Sequence, residues 1–492
     1  MEIGVGLKWT LGIVIAVYVI VMYILAVVAQ GKVESSEDYI VAGRKLPLSL
    51  AWMTLLATWF GAGTLLTAAD EVNAEGLQAA ALDPLGPGFC LLLAGMFFAG
   101  PLWRMKLLTL PDLYRRKYGS FAEIVSSLIM IPSYFGWIAA QYIALAKMLE
   151  LYFGLDLTIG IAAVAIVGTG YTVAGGMWSV TLTDAVQISL VLLGLIVLTA
   201  VVLWEIGEGR LIAGYARVLA ETPGEHLQWI PQHSVSAFWQ WAAVLMVATL
   251  GNLPGQDLMQ RVFAAKSARV AQAACFIAGG AYLTFGLIPV GLGLAANLLP
   301  HDIEASVLPT LAAAFLSPPV AIIFVLALMS AVLSTIDSAI IAPSSVLAQN
   351  LLSRWTRVEP LLLNRIATLI VATGALIMAY SGETAYGLLE TAYAMTLVGL
   401  FVPLTLGIYT EPRNRWSGVA SMLAGTGVWV LHQAWGYEAF LEPWLGETFP
   451  IPLEIAATAI SLLAYLCFEP PWRMQWAKRE AEELISDEPT PK

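Results

Sequence analysis

The sequence predicts an all-α integral membrane protein of about thirteen transmembrane helices. Three observations predict it. Of the 492 residues, 59% are apolar and only 12% are charged, about half the roughly 25% of a soluble domain. Stretches close to the roughly 20 apolar residues that cross a bilayer core as helix repeat from end to end. Basic residues gather in alternate loops between those stretches. A soluble enzyme and a disordered chain are excluded by this composition. A nucleic-acid binder is excluded too, because it would need a basic face and the net charge is −11.

The apolar segments run at about 8–30, 46–69, 79–103, 121–149, 157–174, 180–204, 235–257, 269–299, 318–348, 361–381, 385–409, 416–436 and 450–468. The first is too long for the apolar region of a signal peptide, and no small-residue cleavage site precedes the polar stretch that begins at Gly31. The second and seventh are interrupted. One reads Ala57-Thr58-Trp59-Phe60-Gly61-Ala62-Gly63-Thr64, the other Gly251-Asn252-Leu253-Pro254-Gly255-Gln256-Asp257. Glycine weakens a helix, and proline removes a donor and clashes with the turn before it. The third segment carries Asp83 before Pro84, and the fourth Trp137, Gln141 and Tyr142. Gly175-Gly176 separates the fifth from the sixth, which holds Asp184. The ninth holds Ser334-Thr335-Ile336-Asp337-Ser338, and the eleventh Glu390 near Tyr386 and Tyr393. Cys90, Cys275 and Cys467 lie in apolar runs, without metal-type spacing.

Sidedness follows from charge. Twenty of the 24 basic residues fall in alternate loops: Lys32, Arg44 and Lys45; Arg104, Lys106 and Arg115 to Lys117; Arg261, Lys266 and Arg269; Arg354, Arg357 and Arg365; Arg413 and Arg415; and the tail. The opposite side holds only Lys8, Lys147, Arg210 and Arg217, among many acids. This pattern puts the N-terminus outside and the C-terminus in the cytoplasm of a multi-pass protein of the inner (plasma) membrane. It also requires an odd number of spans. The longest loop, Glu205–Ser234, is expected to carry a short surface helix and a turn at Pro223-Gly224.

The two breaks lie about 190 residues apart and open two runs of five spans. An odd count reverses the second run, which is an inverted repeat whose broken first helices meet at a midplane site. Unwound backbone at that depth is tolerated only where protein or a water-filled cavity covers it. Packing glycines alone would leave a similar pattern.

Charges inside spans are costly and mark pathways. Ser334 and Thr335 offer hydroxyl oxygens, and Ala331 offers a carbonyl one turn back. Freed carbonyls at the first break, on Ala57 and Phe60, would complete a shell for a hard cation such as Na⁺. The competing reading is that both hydroxyls bond back to their own helix. Asp184 and Asp337 stand as candidates on an ion route, and Asp184 also fits a helix-start carboxylate.

Several motifs resemble those of the sodium:solute symporter family, over about Asp38 to Thr410. Ala42-Gly43-Arg44-Lys45-Leu46-Pro47 is similar to the family's opening motif. Gly175-Gly176 with Thr183-Asp184-Ala185-Val186-Gln187 is similar to its core-helix-five signature, and Ala331-Val332-Leu333-Ser334-Thr335 to its sodium motif. The resemblance implies a LeuT-like five-plus-five inverted repeat, with one extra N-terminal and two extra C-terminal helices. It also implies a sodium site of Ala57, Phe60, Ala331, Ser334 and Thr335, with Asp184 on the inner ion route. Within the family, Ala57 to Gly63, Gly95 to Pro101 and Pro254-Gly255-Gln256 resemble the high-affinity choline transporter branch. That branch holds a quaternary ammonium on aromatic faces by cation–π attraction. Trp59 and Trp137 fall on two tryptophans of its cage. The third is Gly255 here, a departure that opens the wall to a bulkier solute or one of another class.

The domains expected are 1–45, an N-terminal helix and cytoplasmic loop; 46–205, the first repeat; 206–234, an outer loop; 235–410, the second repeat; 411–470, two further helices; and 471–492, a cytoplasmic tail. The function expected is Na⁺-coupled import of a small organic solute, cationic or zwitterionic in the manner of choline. The pocket expected is Trp59, Thr64, Asp83, Trp137, Gln141, Asn252, Gln256, Glu390 and Tyr393. A proton-coupled symporter of a sugar, amino acid or carboxylate competes, and a ligand sensor or channel ranks below it. The partners implied are the solute, Na⁺ and the lipid bilayer, and no enzyme chemistry or nucleic acid is implied.

Overall fold

The computed structural model describes residues 5–476 except 32, 300–305, 383, 438 and 446–450. Lys32, Asp302, Glu304, Glu438, Glu447 and the tail from 477 on, which the sequence reading used for sidedness, lie outside the described residues.

Helix α1 is Val5–Gln30. The first broken helix consists of α2, Leu48–Trp59, and α3, Gly63–Glu75, bent by 59°. Then come α4, Leu77–Arg104, α5, Ser120–Phe153, α6, Leu157–Gly170, and α7, Gly176–Ile206. The outer loop forms the helix Leu211–Glu221 and turns at Pro223, whose carbonyl accepts from His226 N at 2.9 Å. The second broken helix consists of α8, Val235–Leu250, and α9, Gln256–Ala264. It is followed by α10, Ala268–Ala296, α11, Pro318–Arg354, α12, Pro360–Ala379, and α13, Ala385–Tyr409. Two helices close the fold: α14, Trp416–Ala434, and α15, Leu453–Phe468.

Helix starts carry the chemistry that satisfies orphan backbone donors. Asp156 accepts from Thr158 N at 2.9 Å, Ser234 from Ala237 N at 3.0 Å and Ser267 from Val270 N at 3.2 Å. Pro318 and Pro360 sit in the first turns of α11 and α12, where their missing N–H costs nothing.

Among the described residues, eight helices are each long and apolar enough to cross a bilayer, and a ninth span is counted if α2 and α3 act as one. The thirteen apolar segments read from the sequence are therefore not all full-length spans. Helices α6, α8 and α15 are apolar but only 10–17 residues long. The reason is local. Segments five and six form one helical run whose backbone breaks at Gly176, with φ 59° and ψ −170°. A side chain there would begin 2.7 Å from the Tyr39 ring, so only glycine fits. Helix α8 stops where Gly251 to Gly255 turn.

The outer surface is apolar. On α1, Ile13, Val17, Ile20 and Ile24 are 54–60% exposed, as expected of side chains that face acyl tails. Helices α5 and α11 run through the interior. Four helices carry a π-turn, at Gly63–Thr67, Ala94–Phe98, Leu347–Leu351 and Leu397–Phe401. Such bulges collect at functional sites.

The chain just before the first broken helix is tied to the end of the second. Leu46 N donates to Ala264 O and Lys266 N to Leu46 O, both at 3.0 Å. Arg44, in the left-handed region at φ 55°, donates to Leu107 O at 2.8 Å and Lys106 O at 3.1 Å. Lys106 packs on the Trp103 ring, 3.2 Å from its centroid. Partial burial and the neighbouring Arg44 push the Lys106 ammonium below its usual range. One sequence assignment needs correcting. Arg261, counted above as a loop cation, is 1% exposed on α9, so it says nothing about sidedness.

Candidate ion and solute site

The break in the first helix falls at Phe60, Gly61 and Ala62. Phe60 N still bonds Leu56 O at 2.9 Å, but φ −78° and ψ 54° turn its carbonyl off the helix axis. Gly61 lies against α5 and α11. A Cβ there would meet Gln141 Oε1 at 2.8 Å and collide with the Thr335 hydroxyl. Ala62 N, freed by the break, donates to Gln141 Oε1 at 2.9 Å. Gln141 Nε2 is buried with no hydrogen-bond partner among the described residues.

Three oxygens converge beside that break. Thr335 Oγ1 donates to Ala331 O at 3.2 Å and lies 3.5 Å from Ala57 O. Both readings of the sequence thus have a foothold, because the hydroxyl back-bonds its own helix and also faces the freed carbonyl. Ser334 Oγ, one residue earlier, donates to Asp184 Oδ1. Thr54 Oγ1 donates to Asp184 Oδ2. Asp184 is fully buried, deep within α7, and is no helix-start cap. Asp337 accepts from Thr172 on its Oδ1. That bond faces the α6–α7 junction and not the first break.

Of the expected pocket residues, Trp59, Thr64 and Asp83 are brought together. Thr64 Oγ1 donates to Asp83 Oδ1 at 2.8 Å. Tyr282 of α10 joins them, with its OH 2.9 Å from Trp59 O and 3.2 Å from Asp83 Oδ1. Its ring meets Phe60 edge-on at 5.4 Å. Trp137 packs on Tyr134 with centroids 5.8 Å apart. Tyr134 in turn donates to Asp257 Oδ1, while Trp59 Nε1 donates to Asp257 Oδ2.

Most other expected pocket residues stand apart. Gln256 accepts from Leu110 N at 2.7 Å and reaches Ser345 Oγ at 3.4 Å, toward the end of α11 that carries Arg354. Asn252 Nδ2 donates to Ala248 O of its own helix at 2.7 Å. Tyr393 does not stand apart, because its phenol has Asp83, Asp257 and Tyr282 as ionisable neighbours, while its carbonyl crowds Gly251. Glu390 has Tyr386 and Glu454 as its ionisable neighbours, not Asp83. Residues the sequence reading missed are Tyr134, Asp257, Tyr282, Thr54 and Arg261. Arg261 donates to Asp257 O at 2.9 Å, Thr54 O at 3.3 Å and Ser338 Oγ at 2.5 Å. Asp257 was in view inside the second break. Its partners are 198 and 123 residues away, and no local pattern announces them.

Two broken helices that face each other across buried carboxylates, inside an apolar helical shell, define a secondary transporter. The chain belongs to the sodium:solute symporter family, whose profile matches residues 39–425. Members of that family are membrane transporters and not enzymes. The human high affinity choline transporter 1 is 28% identical over 419 residues, spanning 80% of this chain and 70% of its own. The sodium/pantothenate symporter of Haemophilus influenzae is 25% identical over 452 residues, spanning 85% and 88%. In structure, the chain is similar to a Na⁺-coupled sialic acid symporter in its substrate-bound outward-open state. The TM-score is 0.75 at 15% identity, over 94% of this chain and 97% of that one. The architecture is therefore that of the LeuT-like symporters.

Proposed function

We propose that this protein is a sodium-coupled secondary active symporter that imports a small organic solute by alternating access. The observation that carries the reading is the meeting of Ala57 O, Ala331 O and Thr335 Oγ1 beside the broken helix. Na⁺ binds these oxygens with Phe60 O and Ser334 Oγ. The bond from Ser334 to Asp184 leaves the hydroxyl lone pairs free for the ion, as an outer-shell acceptor does for a metal ligand. Asp184 lies on the ion's route, and Asp337 serves the same route farther from the break.

The solute sits against Trp59 and Trp137. Gln141 offers its unpartnered amide, and Asp83 and Thr64 close the wall. Asn252, Gln256, Glu390 and Tyr393 act at its margins. The chain crosses the inner membrane thirteen times, with α6, α8, α14 and α15 completing the set and the N-terminus outside.

One Na⁺ entering at −100 mV releases about 2.3 kcal/mol, and a tenfold gradient adds about 1.4 kcal/mol. Together these support roughly several-hundred-fold accumulation of a neutral solute. The test is uptake into proteoliposomes of the full chain. Uptake is expected to require an inward Na⁺ gradient and to fail in K⁺ buffer and in the Ser334→Ala/Thr335→Ala variant. Uptake that persists unchanged in both would sink the reading. Proton coupling is the second reading, favoured by the burial of Asp184 between two hydroxyls. It requires uptake driven by a pH gradient alone.

A further inference from the structure

Asp257 is a buried carboxylate, 3% exposed, at the start of α9. Its described hydrogen-bond donors are both neutral: the Trp59 indole from the first broken helix and the Tyr134 hydroxyl from α5. Arg261, one turn on, neighbours the carboxylate electrostatically but gives its described hydrogen bonds to the Asp257 backbone carbonyl, Thr54 O and Ser338. A carboxylate taken out of water is stable only when a positive partner or several donors face it. Two carboxylate oxygens offer about four acceptor positions, and two donors leave two unfilled.

Gly255 makes room for this group. A Cβ on residue 255 would begin 2.8 Å from Asp257 Oδ1 and 3.6 Å from Tyr134 OH. The carboxylate edge therefore stands where any side chain at 255 would start. At this wall of the pocket, an acceptor of hydrogen bonds replaces an apolar or aromatic face.

We propose that Asp257 is the counter-ion of the solute, and that it selects protonated amines, which carry N–H donors, over quaternary ammonium compounds. This inference rests on the symport reading above. A protonated amine donates to the unfilled positions of Asp257 while its carbon substituents lie on the Trp59 and Trp137 rings. A quaternary nitrogen has no N–H, and its methyl groups hold it away from the oxygens. A hydrogen bond to a charged group changes affinity roughly ten- to hundredfold.

The experiment is a thermal-shift titration of the full-length protein in nanodiscs, in Na⁺ and in K⁺. The probes are ethanolamine, N-methylethanolamine, N,N-dimethylethanolamine and choline. In Na⁺, the dimethyl compound should bind at least ~10-fold tighter than choline. In Asp257→Asn that preference should fall below ~3-fold, with the shift caused by Na⁺ alone unchanged. Gly255→Ala, which crowds the carboxylate and the Asn252 carbonyl 2.9 Å away without removing Asp257, should erode the same preference. Choline binding as tightly as the dimethyl compound would overturn the proposal. So would an Asp257→Asn variant that weakens all four probes equally, which would make Asp257 only a clamp on Trp59. Absence of binding by every probe would overturn it too. The sodium reading fails separately, by loss of the shift that Na⁺ causes without solute.

Discussion

Replacing Gly61 by alanine tests the proposed ion site at its tightest contact. The new Cβ would lie 2.8 Å from both Gln141 Oε1 and Thr335 Cβ, and nearer still to the Thr335 hydroxyl. Ordinary contacts of a Cβ begin at 3.4 Å, so the break and α11 must separate by roughly half an ångström. Thr335 Cβ is anchored to its helix and cannot swing away as a long side chain would. Forcing one methyl into a packed interior costs about 1–3 kcal/mol. The oxygens of Ala57 and Thr335 must approach one another to hold Na⁺, so the cost falls on the ion-bound state. At about 1.4 kcal/mol per factor of ten, the Na⁺ concentration for half-maximal effect should rise roughly 5- to 150-fold. The assay is Na⁺ titration of thermal unfolding at constant ionic strength, with uptake measured beside it. Gly291→Ala is the control, because nothing lies within 4 Å of its Cβ position. The control should leave the Na⁺ midpoint in place and, on helix propensity, add up to about 1 kcal/mol of stability. A Gly61→Ala protein that folds and keeps its Na⁺ midpoint within about twofold of the parent would refute the reasoning.

Two further outcomes follow from buried polar groups. Gln141→Leu leaves the Ala62 N–H without its acceptor; unfolding should become easier by about 1–3 kcal/mol, and differential scanning calorimetry of the reconstituted protein reads it. At the other end of α5, Glu123 is 2% exposed and is held by Arg354, itself 27% exposed, and by Asn350 Nδ2 at 2.9 Å. Arg354→Ala should cost about 2 kcal/mol because it leaves the carboxylate with only the exposed Arg115, 3.6 Å away, as a cation, and Glu123→Gln added to it should restore at least half. A double variant no better than the single would show that the pair is not coupled.

The parts legible in the sequence were those that composition and backbone chemistry write locally. The apolar stretches, the two breaks and the loop helix all appeared from glycine, proline and hydropathy alone. The Thr335 hydroxyl lies near the carbonyls of Ala57 and Ala331. The sequence could not show which way a polar side chain turns inside a packed bundle. Gln256 and Asp257 are neighbours in the chain, yet one faces Leu110 and Ser345 and the other Trp59 and Tyr134. Asn252 looked like a free amide at the break, but it bonds its own helix. Arg261 sits beside Lys266 and Arg269 in the basic run, which made it look like a loop charge. Tyr282 carries no signal in its own segment and acquires a role only because α10 crosses the first break.

Six side-chain bonds join the broken helices to α5, α7 and α11: Gln141 to Ala62, Tyr134 to Asp257, Asp184 to Thr54, Thr335 to Ala57, Ser338 to Arg261 and Ser345 to Gln256. Each is a bond that water could replace, at a net cost of about 1 kcal/mol. The six together come to about 6 kcal/mol, of the same order as the roughly 4 kcal/mol that one Na⁺ would release on entry under the proposed coupling. Under the proposed coupling the seam would act like a ratchet tooth matched in scale to the driving stroke. A shallower tooth would let the helices part without an ion, and solute would leak; a deeper one would hold them shut while the gradient ran to waste.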